Sequence, residues 1–413
     1  MIQLRVKNFG PIRQGMSTND GWLEFKRVTV FIGNQGSGKS TLAKLFATFS
    51  WMEKALVRGD YDKKWFERKG RLTSQFLTYH RLENYLNADG GDATELEYKG
   101  HAFTLSYANG QLSIRKSGAT DYQLPQVMYV PAERNFIAYV RHPRELKLSS
   151  DALKEFLAEF DKAKAGMRGA VRLPINNTEI EYDKRNDNLH LKGPTHKIRL
   201  TDASSGFQSL VPLHLVSHYL AQSVQSQSKD QQPMSAQELE RFRKWVATIF
   251  ADESLSEEQK RAALSALSVR MNKTAFVNIV EEPEQNLFPS SQWEMLKSLL
   301  QCNAQGPHNR LILTTHSPYV VSYFSLAVQA FQLHRKLQDN GRDDLLHQLA
   351  KIVPVHAMVD PHELAIYQTN EVDGTVSLLP TFEGVPSDSN MLNQFLRQGN
   401  ALFDQLLALE EEM

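Results

Sequence analysis

The chain has one cysteine, Cys302, among 413 residues. That excludes an intrachain disulfide and any multi-cysteine zinc cage, and it suits a reducing compartment. Net charge is also missing. Lys plus Arg and Asp plus Glu are 47 each, so no global field draws the protein to nucleic acid or anionic lipid, and any such contact must come from a local patch. No stretch approaches the ~18 to 20 apolar residues that cross a bilayer. The longest candidate, near 210–220, is broken by Pro212, His214 and His218. The first ten residues lack the apolar run of a signal peptide, so the expectation is a cytoplasmic protein with no membrane partner. Internal repeats are absent.

What is present is ordinary globular composition: 41% hydrophobic and 23% charged residues, with 16 Pro and 22 Gly, in a length that suits two or three folding units. Ile2, Leu4 and Val6 alternate with Gln3, Arg5 and Lys7, and Phe9-Gly10-Pro11 turns. Residues 28–32 form a continuous apolar run that glycines follow, as in a buried strand feeding a loop. Leu42, Leu45, Phe46, Phe49 and Met52 then take helical spacing, whereas 50–93 shows no period. Alternation over 94–98 and 102–107, with Asn109-Gly110 before 111–115, predicts an antiparallel hairpin. A second pair is expected at 179–182 and 188–191, followed by 197–200. Between them Ser150 caps an expected helix over 151–164.

The Gln/Ser-rich stretch 222–232 predicts an exposed loop, with amphipathic helices over 236–249 and 256–267. Apolar runs at 275–280 and 310–314 with flanking helices predict a mostly parallel α/β sheet. Met391, Leu392, Phe395, Leu396, Leu402, Phe403, Leu406 and Leu407 share one face of a C-terminal helix.

Four blocks carry chemistry. Gly33-Asn34-Gln35-Gly36-Ser37-Gly38-Lys39-Ser40 fits GxxxxGKS between an apolar strand and a helix. Its glycines turn backbone amides toward phosphates, Lys39 neutralises β and γ oxygens and Ser40 ligates Mg2+. Asn34, Gly36, Ser37, Gly38, Lys39, Ser40 and Thr41 are therefore the candidate ATP-binding residues. Glu281-Glu282 emerges from the next apolar strand; Glu281 is assigned to the metal and Glu282 to the attacking water. Ser204-Ser205-Gly206-Phe207-Gln208 opens an apolar helix, which suits either a second phosphate contact or a simple serine cap. His316, at the tip of the 310–314 strand, could reach a γ phosphate.

In this order the blocks resemble the ABC-type ATPase heads of the SMC, RecF and OLD-like group, between Met1 and Pro318. The resemblance implies an α/β P-loop ABC-type ATPase head with a mostly parallel core sheet, an antiparallel β lobe and a helical insertion. It divides the chain into 1–210 and 274–370 as the two parts of the head, 211–273 as the insertion, and 371–413 as a C-terminal strand and helix. It makes Lys7-Asn8-Phe9-Gly10 the N-terminal strand and turn, and 284–289 the D-loop region. It makes Ser204, Ser205, Gly206 and Gln208 the signature motif that caps a partner's nucleotide, and His316 the switch histidine. Val130-Pro131-Ala132-Glu133-Arg134 falls where a Q-loop would be, without its Gln. Two departures stand out: Glu281 where most relatives have Asp, and SSGFQ in place of LSGGQ.

The implied activity is hydrolysis of ATP with Mg2+ by head-to-head dimers, built into a homo-oligomer of up to six copies. The ~95 residues after His316 hold no DxD pair with an upstream Glu, so a fused metal nuclease is not expected. No ~100-residue heptad run supports a long SMC-type arm. Size, short insertion and the Glu281-Glu282-Pro283-Glu284 box resemble the AriA-type ATPase subunits of the PARIS anti-phage system. That implies a separate toprim-type nuclease effector and a phage-encoded trigger protein. The alternative is a RecF/SMC-like repair or recombination ATPase that clamps duplex DNA. Its scattered basic candidates are Arg141, Arg144, Lys147, Lys184 and Arg185. A transporter ATPase would need a membrane partner and the full LSGGQ.

Overall fold

The computed structural model describes residues 1–87, 93–118, 122–140, 143–230 and 273–411, with short pieces between 244 and 263. The N-terminal strands are β1 (Ile2–Lys7), β2 (Gly15–Met16), β3 (Trp22–Phe25) and β4 (Val28–Gly33). They are followed by β5 (Glu95–Lys99), β6 (Phe103–Ala108), β7 (Gln111–Lys116) and β8 (Pro125–Val130). Next come β9 (Val171–Arg172), β10 (Glu179–Asp183), β11 (Asn188–Lys192) and β12 (Lys197–Arg199), and then β13 (Ala275–Glu281), β14 (Arg310–Thr315), β15 (Leu364–Thr369) and β16 (Thr375–Leu378).

The core is a seven-stranded sheet in the order β2-β16-β15-β4-β14-β13-β8. Strands β15, β4, β14, β13 and β8 run parallel, and β16 joins antiparallel to β15. Strands β4 and β13 are buried at every residue, because helices cover both faces of a parallel sheet; the two polar residues inside the expected apolar runs, Thr29 and Asn278, are buried with hydrogen bonds to Lys26 O and Ser217 Oγ. Two antiparallel sheets accompany it, β3-β1-β5-β6-β7 and β12-β11-β10-β9. Both expected hairpins lie in them, with alternating burial as in β5, where Leu96 and Tyr98 are buried between the exposed Glu95 and Lys99. The fold is thus mixed α/β with a mostly parallel core sheet and separate antiparallel sheets, as the sequence predicts. Among the described residues no helix is long and apolar enough to cross a membrane.

The helix Lys39–Arg58 packs under the core sheet, with Phe46 stacked on Phe25 at 4.0 Å between centroids; such pairs add about 0.5–1.5 kcal/mol beyond their burial. Ser150 caps the helix Asp151–Gly166 through a bond from the Leu153 amide to its Oγ, 3.2 Å. The stretch without a period, after residue 58, gathers Tyr61, Trp65, Phe66 and Phe76 into an aromatic cluster against Trp51.

One expectation is corrected. The Gln/Ser-rich stretch is not a loop, because the helix that begins at Ser205 runs unbroken to Asp230. Leu220, Ala221 and Val224 are buried at helical spacing, and Gln227 Oε1 accepts the Lys273 amide at 3.1 Å. Gln222 and Ser226 are exposed on the other face. Gln231 and Gln232 lie outside the described residues, as do most of the expected helices at 236–249 and 256–267. The C-terminal helix Met391–Glu411 forms as expected, but Phe395, Leu402, Phe403, Leu406 and Leu407 are exposed on it.

Candidate functional site

Three neighbouring parallel strands end at one level. Thr315 of β14 pairs with Ile32 of β4, and Glu281 of β13 pairs with Thr314 of β14. The carboxyl edge of such a sheet is where ligands sit, and the P-loop, the Glu281-Glu282 pair and His316 all leave from it.

The P-loop turns through Gly33, Gly36 and Gly38, the last two at φ 73° and 101°. Gly38 opens the helix at Lys39, and a Cβ there would run into Ile12, so only glycine lets the helix N-terminus face an anion at this point. Ser37 Oγ bonds Asn34 O at 2.7 Å and Thr369 Oγ1 at 2.6 Å, which ties the loop to β15. Lys39 is buried and folds back on its own loop, donating to Gly33 O at 2.9 Å and Asn34 O at 2.7 Å. Burial lowers its pKa to about 8, against the pull of Glu282, Glu284, Glu371 and Glu281. Ser40 is half-buried and Thr41 buried on the first turn of the helix.

Glu281 is buried; its Oε2 accepts the Ala132 amide at 3.1 Å, and Lys44 Nζ lies 4.0 Å from its Oε1. Glu282 sits in the left-handed region at φ 44°, a conformation that costs a non-glycine residue on the order of 1 kcal/mol and marks functional positions. Its Oε1 is 3.3 Å from His316 Nε2. That hydrogen bond, outweighing desolvation, holds the Glu282 carboxyl below the usual carboxylate range, so it is ionised at neutral pH. Glu284 is fixed from the other side, accepting from Thr315 Oγ1 and the His316 amide, each at 2.8 Å. Burial raises its pKa.

The Ser204-Ser205-Gly206 turn is on the surface side of its helix N-terminus, with both serines exposed. Gly206 rests on the loop after Glu282: an added Cβ would lie 2.8 Å from Asn286 O. Gln208 is turned inward, donating to Thr201 O at 3.0 Å and Leu200 O at 3.4 Å, where it holds the loop that precedes the helix. Within one copy the structure therefore brings together Asn34–Thr41, Glu281, Glu282 and His316, while Ser204 and Ser205 face outward.

Three contributors were not assigned from sequence. Glu371, in the turn between β15 and β16, accepts from Asn34 Nδ2 at 2.8 Å; nothing in a lone acidic turn residue announces that. Lys44, one turn beyond Ser40, reaches Glu281, and its spacing from the P-loop was the available signal. Arg134 of the Pro131-Ala132-Glu133-Arg134 motif is wholly buried beneath Glu281 and Glu282.

ATP and Mg2+ fit these residues. A triphosphate at Lys39 would feel the negative field of Glu281, Glu282 and Glu371, so charge balance calls for a divalent cation. Mg2+ needs only one or two protein oxygens beside phosphate and water, which Ser40 and Glu281 can supply.

No family model matches the chain, and no curated protein matches it in sequence. Among solved structures it is similar to an SMC head domain from Thermotoga maritima, at 13% identity over 92% of this chain and 98% of that one, TM-score 0.38. It is similar to an SMC head bound to the C-winged helix domain of ScpA, at 12% identity over 92% and 98%, TM-score 0.36. It is also similar to a nucleotide-free ATP-binding cassette from an ABC transporter, at 13% identity over 93% and 94%, TM-score 0.26. With likenesses this distant, the functional reading stands on the geometry of the strand-end site itself.

Proposed function

We propose that this chain is a Mg2+-dependent ATPase that works as a nucleotide-driven switch. The observation that supports it is the convergence of a P-loop lysine, a buried carboxylate and a Glu282–His316 pair at three adjacent strand ends. Ser40 and Glu281 would hold Mg2+, whose chemistry is to offset charge on the β and γ oxygens. Lys39 exchanges its two loop carbonyls for phosphate oxygens. Glu282, ionised and with a depressed pKa, is a weak base but a good acceptor, so its part is to orient the attacking water. His316 keeps that carboxylate aimed and presents its ring toward the γ phosphate.

The outward-facing Ser204 and Ser205 cap the nucleotide of a second copy, so the active unit is a head-to-head dimer within a homo-oligomer. In this reading 1–210 and 274–370 are the two parts of the head, 211–273 carries a partner surface, and 371–413 completes the core edge and adds the terminal helix. On the motif resemblance, the switch serves as the regulatory subunit of a cytoplasmic anti-phage system of the PARIS type. It retains a separate toprim-type nuclease and releases it when a phage protein is sensed.

The test is co-expression with the genes that flank it. Co-purification of a small nuclease that is released by a phage protein supports the reading. Steeply salt-dependent binding to plain duplex DNA, with no such subunit retained, replaces it with a DNA-clamping repair ATPase. The exposed Lys147, Lys184 and Arg185 are the described candidates for that contact. Arg141 and the side chain of Arg144 lie outside the described residues.

A further inference from the structure

We propose that Arg134 is a positioning residue that locks the backbone of the two catalytic carboxylates to the first turns of the Ser205–Asp230 helix, so that Glu282 is aimed only while that helix is seated. The inference rests on the ATPase reading of the strand-end site.

Arg134 has no exposed surface, and its partners are main-chain carbonyls. Nε donates to Ser209 O at 3.2 Å, Nη1 to Glu281 O at 2.6 Å and to Pro131 O at 3.4 Å, and Nη2 to Glu282 O at 2.6 Å. A buried guanidinium to which no carboxylate is bonded among the described residues is a costly way to fill space, and an apolar side chain would serve packing better. What the guanidinium alone supplies is a rigid planar fork that reaches three segments at once; an ammonium cannot. Burial lowers its pKa to about 10, which leaves it charged at neutral pH.

Besides its own turn at Pro131, the two segments it holds, the Glu281-Glu282 strand end and the Ser209 helix, are the ones the switch must join. Glu282 donates its own amide to Thr314 O at 2.9 Å, so with Arg134 on its carbonyl both flanking peptides are fixed, and its left-handed conformation is held from two sides. Ser209 belongs to the helix whose first residues cap a partner's nucleotide. Two further contacts fasten that helix to the same loop: Asn286 Nδ2 to Ser209 Oγ at 3.1 Å, and Gly206 against Asn286 O. Movement of the helix start toward a second copy's phosphate would therefore be felt at Glu282 through Ser209 and Arg134.

The experiment compares wild type, Arg134→Lys and Lys39→Ala for affinity toward a fluorescent ATP analogue with Mg2+ and for steady-state turnover. Arg134→Lys is expected to bind like wild type while kcat falls by about thirtyfold, the upper range of coupling through one linking residue. A residue needed only for stability would not split binding from kcat in a folded variant. Wild-type kcat in Arg134→Lys overturns the linkage and leaves the ATPase reading standing. Failure of wild type itself to bind or hydrolyse ATP overturns the site reading instead.

Should Arg134→Lys not fold, hydrogen exchange on wild type decides. The amides of 205–209 and 282–287 are expected to gain protection together when a non-hydrolysable ATP analogue binds. Protection of one segment without the other overturns the linkage.

Discussion

Lys39 offers the sharpest quantitative test, because its environment sets the pH dependence of binding. Within the fold, burial holds its pKa at about 8. Against a triphosphate the ammonium is paired and returns toward or above its ordinary value of about 10.4. Binding then takes up a proton wherever free Lys39 is neutral, and Kd rises as one plus ten to the power of pH minus that pKa. Between about pH 7 and about pH 9 the affinity for ATP with Mg2+ should weaken about tenfold, or about 1.4 kcal/mol.

Folding stability measured without added nucleotide should move the opposite way. A lysine whose folded pKa is depressed destabilises the fold while charged, and that penalty is relieved as pH rises from about 8 toward about 10.4. Titration of a fluorescent ATP analogue at fixed free Mg2+ measures the first effect. The difference in thermal unfolding between wild type and Lys39→Ala measures the second. Lys39→Arg, whose guanidinium stays charged, should show no slope from this group. A wild-type Kd that is flat from about pH 7 to about pH 9 would refute the buried, self-bonded lysine.

The other expectations are simpler. Lys39→Ala should lose nucleotide binding, and normal turnover in it would remove the P-loop from the mechanism. Glu282→Gln should bind ATP yet hydrolyse it about a hundredfold or more slowly, with closed oligomer accumulating in size-exclusion runs; an unchanged rate would move water orientation to another residue. Chelating Mg2+ should weaken ATP binding as well as stop turnover, because Glu281, Glu282 and Glu371 act on the lysine with negative charge; equal affinity with and without metal would contradict that repulsion.

Much of this was legible in the residues. The runs at 28–32 and 275–280, apolar but for Thr29 and Asn278, became buried parallel strands because helices cover both faces, and Asn109-Gly110 made its hairpin because its backbone tolerates the turn. The P-loop was readable since its chemistry is contiguous. The Glu282–His316 contact spans two strands, so sequence could name both residues but not their 3.3 Å separation. Residues 222–230 misled because Gln and Ser are neutral in helices; three buried positions, not composition, decided the outcome. Arg134 was visible as part of a motif, yet its partners are backbone carbonyls, and those leave no trace in side-chain identity.

The 26-residue helix from Ser205 to Asp230 extends about 39 Å at the ordinary rise per residue, with Pro212 dropping one rung. It starts beside Asn286 and reaches, through Gln227, the point at Lys273 where the chain re-enters the core sheet. A stiff rod with one end at the strand-end site and the other bonded at Lys273 behaves as a lever. If the proposed ATPase function holds, tilting it would report nucleotide occupancy at a distance, and a load on its Gln227 end would, by the same rigidity, disturb hydrolysis.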